Sequence, residues 1–298
     1  MVKRLIGWFG VVISIAIASL WSYWGIIENF HEGWYSTSLI ENILIMFIQY
    51  LSIPVLIIVF SLIAIKWNKV GGIIFLVIAF VLGIFFRSAS FQVVGLLIVI
   101  PIIIIGTLYL FGNPEPKKAA YLLIIFVPLT IIFVFGLPNL IRVNQRVNDE
   151  NFRERIIETE DYELIWAPHG PGWPWKGGIS WEQAKDYCSR LSEDGETLLN
   201  EPVNIWRLPT IDEIVQSSML HNEIAGGVWD SENEIASYYL IPDKETPLWN
   251  PNKMIIYYWT SEQFDDDYAY IYSYNGGIWK RNKDSKYGYL AYRAVKEL

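Results

Sequence analysis

Asn-Ile-Trp-Arg-Leu-Pro-Thr-Ile-Asp-Glu-Ile, residues 204–214, decides how the second half of this 298-residue chain folds. Thr210-Ile211-Asp212-Glu213 has the form of a capping box. The Thr210 hydroxyl accepts from the Glu213 amide, and the Glu213 carboxylate reaches back to the Thr210 amide. Pro209 forces an extended approach to that cap, and Asp212 and Glu213 suit the positive end of a helix. Arg207 is placed to tie down a carboxylate or backbone carbonyls near the helix start. Trp206 reads as structural. Such a stretch belongs to a folded domain in water, whereas the residues before 144 do not.

A second capping box stands upstream, at Ser180-Trp181-Glu182-Gln183. The helix it opens carries Trp181, Ala184, Cys188 and Leu191 on one face, at helical spacing, and Asp194-Gly195 is its expected stop. Cys188 then points to the core, where a thiol is a small apolar filler rather than a nucleophile. After the helices the period changes. Residues 254–260 and 268–274 are rich in aromatic and β-branched side chains, and Asn275-Gly276-Gly277 signals a hairpin into 278–281. Residues 288–296 alternate Tyr289, Ala291, Arg293 and Val295, and 162–167 form an opening strand. The domain reads as α+β, with its last strand paired to its first.

The two halves differ in charge. Up to Glu150 there are nine Lys/Arg and six Asp/Glu; from Asn151 there are 14 and 25. The acidic half excludes a nucleic-acid partner, because phosphate binding needs a basic surface. The lone cysteine excludes an intrachain disulfide.

Five apolar runs precede Asn144, at residues 5–27, 39–65, 70–86, 93–111 and 119–141. A helix rises about 1.5 Å per residue and the hydrocarbon core is about 30 Å thick, so about 20 apolar residues span it. Four runs meet that length and the third is short. None shows the polar face of a soluble helix. Residues 1–143 therefore read as five transmembrane helices in contact with the lipid bilayer, 144–158 as a flexible linker or stalk helix, and 159–298 as the soluble domain. The first run has Lys3 and Arg4 before it and Ala16-Ile17-Ala18 inside it, as a cleaved signal would. It continues through Trp21 and Trp24, which favours a retained helix. Lys3/Arg4, Lys66/Lys69 and Lys117/Lys118 fall on one side, so the positive-inside rule puts the N-terminus in the cytoplasm and the C-terminal domain outside it. The spans hold almost no ionisable residue, which counts against a transporter. Pro54, Pro101 and Pro128 can kink their helices.

Four blocks carry a resemblance: 178–191 (GISWEQAKDYCSRL), 206–214 (WRLPTIDEI), 258–262 (YWTSE) and 292–296 (YRAVK). Together they resemble the bacterial Lcl C-terminal domain family, similar in outline to the formylglycine-generating-enzyme and C-type-lectin-like fold, over about 160–298. The resemblance implies a C-type-lectin-like fold and a binding role. It implies no activity, and Ser180, Cys188, Trp206, Arg207, Thr210, Glu213, Trp259 and Arg293 are read as structural. Family members often carry a cysteine where this chain has Ala294, which leaves Cys188 single. Formylglycine-generating enzymes use a cysteine pair that one cysteine cannot supply. Glu201-Pro202-Val203-Asn204 only approximates the Glu-Pro-Asn triplet of calcium-dependent lectins.

Trp173 and Trp175 sit in a Pro/Gly loop, where exposed rings stack on sugars or peptide side chains; pinning of that loop to the core is the alternative. Trp249 carries the same ambiguity. Trp279 and Arg281, with Lys280 and Lys283, form a mixed aromatic and basic stretch after the hairpin turn. Asp265-Asp266-Asp267 offers oxygen ligands to Ca²⁺, the one cofactor considered; a solvated turn is the alternative. Glu28, His31 and Glu32 form the polar cluster at a membrane edge, with a metal or a plain loop as the two readings. Neither a Ser-His-Asp arrangement nor a Gly-rich phosphate loop stands out. The expectation is a multipass protein of the bacterial cytoplasmic membrane that displays a domain recognising an extracytoplasmic glycan, wall polymer or protein. An extracytoplasmic modifying enzyme, or a transport or assembly subunit with an accessory domain, is the alternative. Oligomeric state is left open.

Overall fold

The computed structural model describes residues 1–88, 92–168 and 178–298. The chain divides into two compact units, Met1–His31 with Ser38–Ile141, and Glu32–Thr37 with Arg142–Leu298.

The first unit is helical. It contains α1 (Val2–Glu32), α2 (Leu39–Ile45) running into a π-helical turn (Met46–Tyr50), α3 (Ser52–Lys66), α4 (Asn68–Ser88), α5 (Gln92–Phe111) and α6 (Lys117–Asn144). Its apolar side chains face outward as well as inward: only 22% of the apolar window of α4 is buried. Phe80, Val93 and Leu97 are among the many large apolar groups left exposed. Water would not tolerate such a surface, and hydrocarbon would. Among the described residues three helices, Val2–His31, Asn68–Arg87 and Lys117–Asn144, are long and apolar enough to cross a membrane. The pair α2–α3 makes a fourth if counted as one span. The expectation of five is therefore met in part, because the apolar stretch Gly95–Phe111 of α5 is shorter. The run at 70–86 is longer than it reads: Asn68, Lys69, Arg87 and Ser88 are helical too, and α4 reaches 21 residues.

The run at 39–65 is not one rod. It bends by 68° where the π-helical turn meets α3. Pro54 explains the position of the bend. It lacks the N–H that would bond the Tyr50 carbonyl, and its ring clashes with that carbonyl. The freed Tyr50 oxygen packs against Gly25 of α1, where a Cβ would collide with it. At one end of the unit the chain crossings are tied together. The Asn113 amide donates to Lys3 O (2.8 Å), the Trp8 indole to Glu115 O (2.8 Å) and Lys117 Nζ to Lys66 O (3.2 Å). Lys3, Arg4, Lys66, Lys69, Lys117 and Lys118 thereby gather at that end, and Arg87 closes the far end of α4.

The second unit is β-rich. Its elements are β1 (Arg155–Glu158), β2 (Glu163–Trp166), α7 (Trp181–Ser189), α8 (Ile211–Gln216), β3 (Met219–Leu220), β4 (Glu223–Ile224), β5 (Val228–Asp230), β6 (Ile235–Ser237), β7 (Tyr257–Gln263), β8 (Tyr268–Ser273), β9 (Ile278–Asn282), β10 (Leu290–Ala291) and β11 (Val295–Glu297). Strand β2 lies between β1 and β11, antiparallel to both, so the last strand does meet the opening one, with Val295 opposite Trp166. A second sheet has the order β10-β7-β8-β9, and β3–β4 and β5–β6 form separate ribbons. Period-2 alternation splits the second sheet between two cores. Tyr258 and Tyr272 face one core with α8 and Trp249. Trp259 and Ile271 face the other, with Trp181, Ala184 and Cys188 of α7.

Three expectations need correction. The linker at 144–158 is partly β1, because Arg155–Glu158 completes the first sheet. The helix opened by Ser180 ends at Ser189, not at Gly195, because Leu191 turns aside to bridge Leu198. The strand expected at 288–296 is broken into β10 and β11 around Arg293, which is buried.

Both capping boxes form. At α8 the Glu213 carboxylate also takes the fork of Arg207, at 2.7 and 2.6 Å, while the Thr210 amide donates to it at 2.7 Å. The next orphan amide, Ile211, is satisfied by Glu262 at 2.9 Å. Burial alone would raise the Glu213 carboxyl, but Arg207 and Thr210 outweigh it and hold it below its ordinary value. A depressed carboxyl stabilises the fold at neutral pH and ceases to do so as pH falls through its ordinary value of 4.5 and below. Glu213→Ala should destabilise the domain by about 2–3 kcal/mol in denaturant melts at pH 7. The gap between variant and parent should narrow steadily below pH 4.5; a gap independent of pH would count against an ionised Glu213 as the tie.

Candidate functional site

The strand β9 is the outer edge of its sheet. Asn275-Gly276-Gly277 delivers the chain to it. Gly276 adopts φ +86°, which L side chains avoid. Gly277 leaves room for the Trp279 indole, whose nitrogen lies 2.7 Å from where a Cβ would sit. Trp279 pairs with Ile271 and Arg281 with Ala269, so both project from the same sheet face. Inward, that face is covered by α7. At the edge it is open, and Trp279 is 58% exposed.

Arg281 is held by rings rather than carboxylates. Its guanidinium lies 6.0 Å from the Tyr257 ring centre and 5.7 Å from that of Tyr287. Tyr287 stacks on Tyr289 at 5.4 Å and nearly parallel, and Tyr289 meets Tyr257 edge-on at 5.6 Å. Among the described residues Arg281 forms no ion pair. Its neighbours differ. Lys280, on the opposite face, pairs with Glu234 at 2.7 Å and covers the Phe264 ring. Lys283 donates to Gln263 Oε1 at 3.1 Å and lies over Trp181. The result is one exposed indole, one uncommitted guanidinium and three tyrosine rings. Rings offer flat apolar faces, and the guanidinium offers a planar fork of donors.

Of the sequence-predicted ligand residues, Trp279 and Arg281 are brought together. Trp173 and Trp175 lie outside the described residues. Trp249 is corrected to a core residue. It is 3% exposed and stacks on Tyr258 at 4.0 Å, so it has no free face. The acidic run forms a turn in which Asp265 Oδ1 accepts from the Asp267 and Tyr268 amides at 2.8 and 2.7 Å. Glu28 and His31 sit in the last turn of α1, and the Glu32 side chain is outside the described set. Among the described residues no three His, Cys, Asp or Glu side chains converge as metal ligands.

The structural set is found in structural places. Ser180 and Thr210 cap their helices. The Trp206 indole donates to Ser192 O at 2.8 Å and that of Trp259 to Ile179 O at 2.7 Å. Arg293 is buried, with a bond to Leu248 O at 3.3 Å. Cys188 is buried too, and burial drives its thiol far up, away from the thiolate a nucleophile needs.

Sequence reasoning missed two things. Tyr257, Tyr287 and Tyr289 were not assigned to the site, although Tyr287 and Tyr289 stand at the i, i+2 spacing of one strand face. It also assigned no structure to the stretch before the strand at 254–260, where Asp243, Lys244, Glu245 and Thr246 are all buried. Asp243 meets Arg146 at 2.8 Å, and the Thr246 amide donates to Val147 O at 3.2 Å. Glu245 accepts from the His221 amide at 2.7 Å, and burial raises its carboxyl above the ordinary value.

A family model described as a domain of unknown function (DUF7670) matches residues 1–121, from α1 into α6. No curated protein and no solved structure matches the chain.

Trp249→Ala should cost about 3–5 kcal/mol, as deletion of a core ring does. Trp279→Ala and Arg281→Ala should stay within about 0.5 kcal/mol of the parent. Melts of the three variants in one detergent check this, and equal losses would remove the distinction between core and platform. Cys188 should resist a maleimide in the native chain and react only as the chain unfolds.

Proposed function

We propose that the chain is a multipass protein of the bacterial cytoplasmic membrane whose C-terminal domain recognises an extracytoplasmic glycan or wall polymer through the face built by Trp279, Arg281, Tyr257, Tyr287 and Tyr289. On this reading α5 is the fifth span, the N-terminus is cytoplasmic and the domain lies outside. The gathering of six cations at one end of the helical unit supports that orientation. The four sequence blocks support a C-type-lectin-like reading of the domain.

The observation that carries the recognition reading is the pairing of an exposed Trp279 with an Arg281 held by tyrosine rings and free of ion pairs among the described residues. A sugar ring stacks by its C–H face on an indole, and its hydroxyls or carboxylate take the guanidinium fork. Binding is then independent of Ca²⁺, since the recognition face uses rings and a guanidinium rather than carboxylates.

The test uses the full chain in detergent against immobilised wall polymers and glycans. The parent should bind at least one polymer, Trp279→Ala and Arg281→Ala should each weaken it about tenfold or more, and EDTA should leave it unchanged. A parent that binds none, or variants that bind as the parent does, would refute the site. A C-terminal alkaline phosphatase fusion should be active; an inactive one, with a fluorescent cytoplasmic reporter at the same place, would reverse the orientation.

A further inference from the structure

A deep apolar groove of about 720 Å³ runs between α1, α3, α4 and α5, lined by Trp21, Ile53, Phe60, Phe75, Phe86 and Pro101 among others. Among the described residues its lining side chains are apolar except for the indole N–H of Trp21. Along α4 it extends from Phe75 to Phe86, eleven helical rises or about 16 Å. That is about half of the 30 Å hydrocarbon thickness, the reach of one leaflet. It begins midway along α4 and reaches Phe86, next to Arg87, at the end opposite that where the six other cations gather.

A second space of about 340 Å³ adjoins it, sharing Phe86 and lined by Gly83, Arg87, Gly95, Leu96 and Val99. Gly83 keeps this cleft open: a Cβ there would meet nothing within 4 Å. Arg87 is exposed, and among the described residues it forms no ion pair. An unpaired guanidinium at the mouth of an apolar groove is complementary to a phosphate carrying a hydrocarbon chain. The planar fork binds two phosphate oxygens, and the predominantly apolar groove takes methylenes.

We propose that the helical unit holds one anionic phospholipid, with its headgroup phosphate on Arg87 and one acyl chain in the groove. The inference rests on the membrane reading of the helices but is separate from the recognition face. The test begins with alkaline carbonate washing of membranes that contain the full chain. Retention in the pellet keeps the membrane reading standing whichever way the lipid result falls. Native mass spectrometry then follows the purified chain titrated with phosphatidylglycerol or with phosphatidylcholine of the same acyl chains. The parent should retain one phosphatidylglycerol about fivefold better than phosphatidylcholine, whose trimethylammonium offsets the phosphate charge that Arg87 would meet, and Arg87→Gln should bring that ratio to about one. Gly83→Phe should block the cleft and abolish retention of both. If that variant misfolds, Arg87→Gln alone still decides, because an exposed side chain without an ion pair is not needed for folding. Equal retention of the two lipids by the parent, retention of neither, or a ratio unchanged in Arg87→Gln would overturn the proposal.

Discussion

The second unit depends on the carboxylate of Glu213. It is buried, and it takes two nitrogens of Arg207 and the Thr210 amide at once. A buried carboxylate without such partners would be expelled or protonated. With them it fixes the direction in which α8 leaves the chain. Other elements are locked to the same place. The Arg207 backbone bridges Val295 of β11, the Ser261 amide donates to Pro209 O at 2.8 Å, and Glu262 satisfies Ile211. A helix of six residues has little stability of its own. Here it is held because its end is where both sheets converge.

These ties also show why part of the fold was legible in the sequence. The capping boxes, the hairpin at Gly276 and the burial of Cys188 rest on residues within one helical turn or one strand repeat of each other. Local physical chemistry is enough to read them. The pairing of the first and last strands was readable from their apolar content. The burial of residues 242–251 was not, because Asp-Lys-Glu-Thr has the composition of a solvated loop. What buries it is distant in the chain: Arg146 meets Asp243, Val147 accepts from the Thr246 amide, and His221 meets Glu245. Trp249 follows from the same cause, since a loop drawn inward carries its indole onto Tyr258. Of the site, Trp279 and Arg281 were visible as residue types after a turn. The tyrosines that hold Arg281 arrive from two other segments and required the register.

In the helical unit the limiting constraint is different. With no water in the hydrocarbon, each backbone carbonyl must be met inside the protein. Pro54 removes a donor from the Tyr50 carbonyl, and the chain bends there and seats that oxygen against Gly25. One proline thus sets the bend, one glycine accommodates it, and Ile53, just past the bend, lines the groove. Length alone would have made α2 and α3 a single span. The broken geometry is a consequence of one missing N–H.

The edge strand β9 poses a separate question, since an open edge invites pairing with another chain. Lys280, Arg281 and Lys283 answer it, because charge along an edge opposes such pairing. That accounts for Lys280, which is also tied to Glu234. It does not account for Trp279. A large indole that is 58% exposed on an edge adds no core packing and favours the association that the charges oppose. Nor does edge protection require two tyrosine rings against Arg281, where a carboxylate would neutralise the charge at lower cost in apolar exposure. The platform works against the solubility of the domain and adds little to its stability. The proposed recognition of a ligand by both the ring and the guanidinium rests on this geometry.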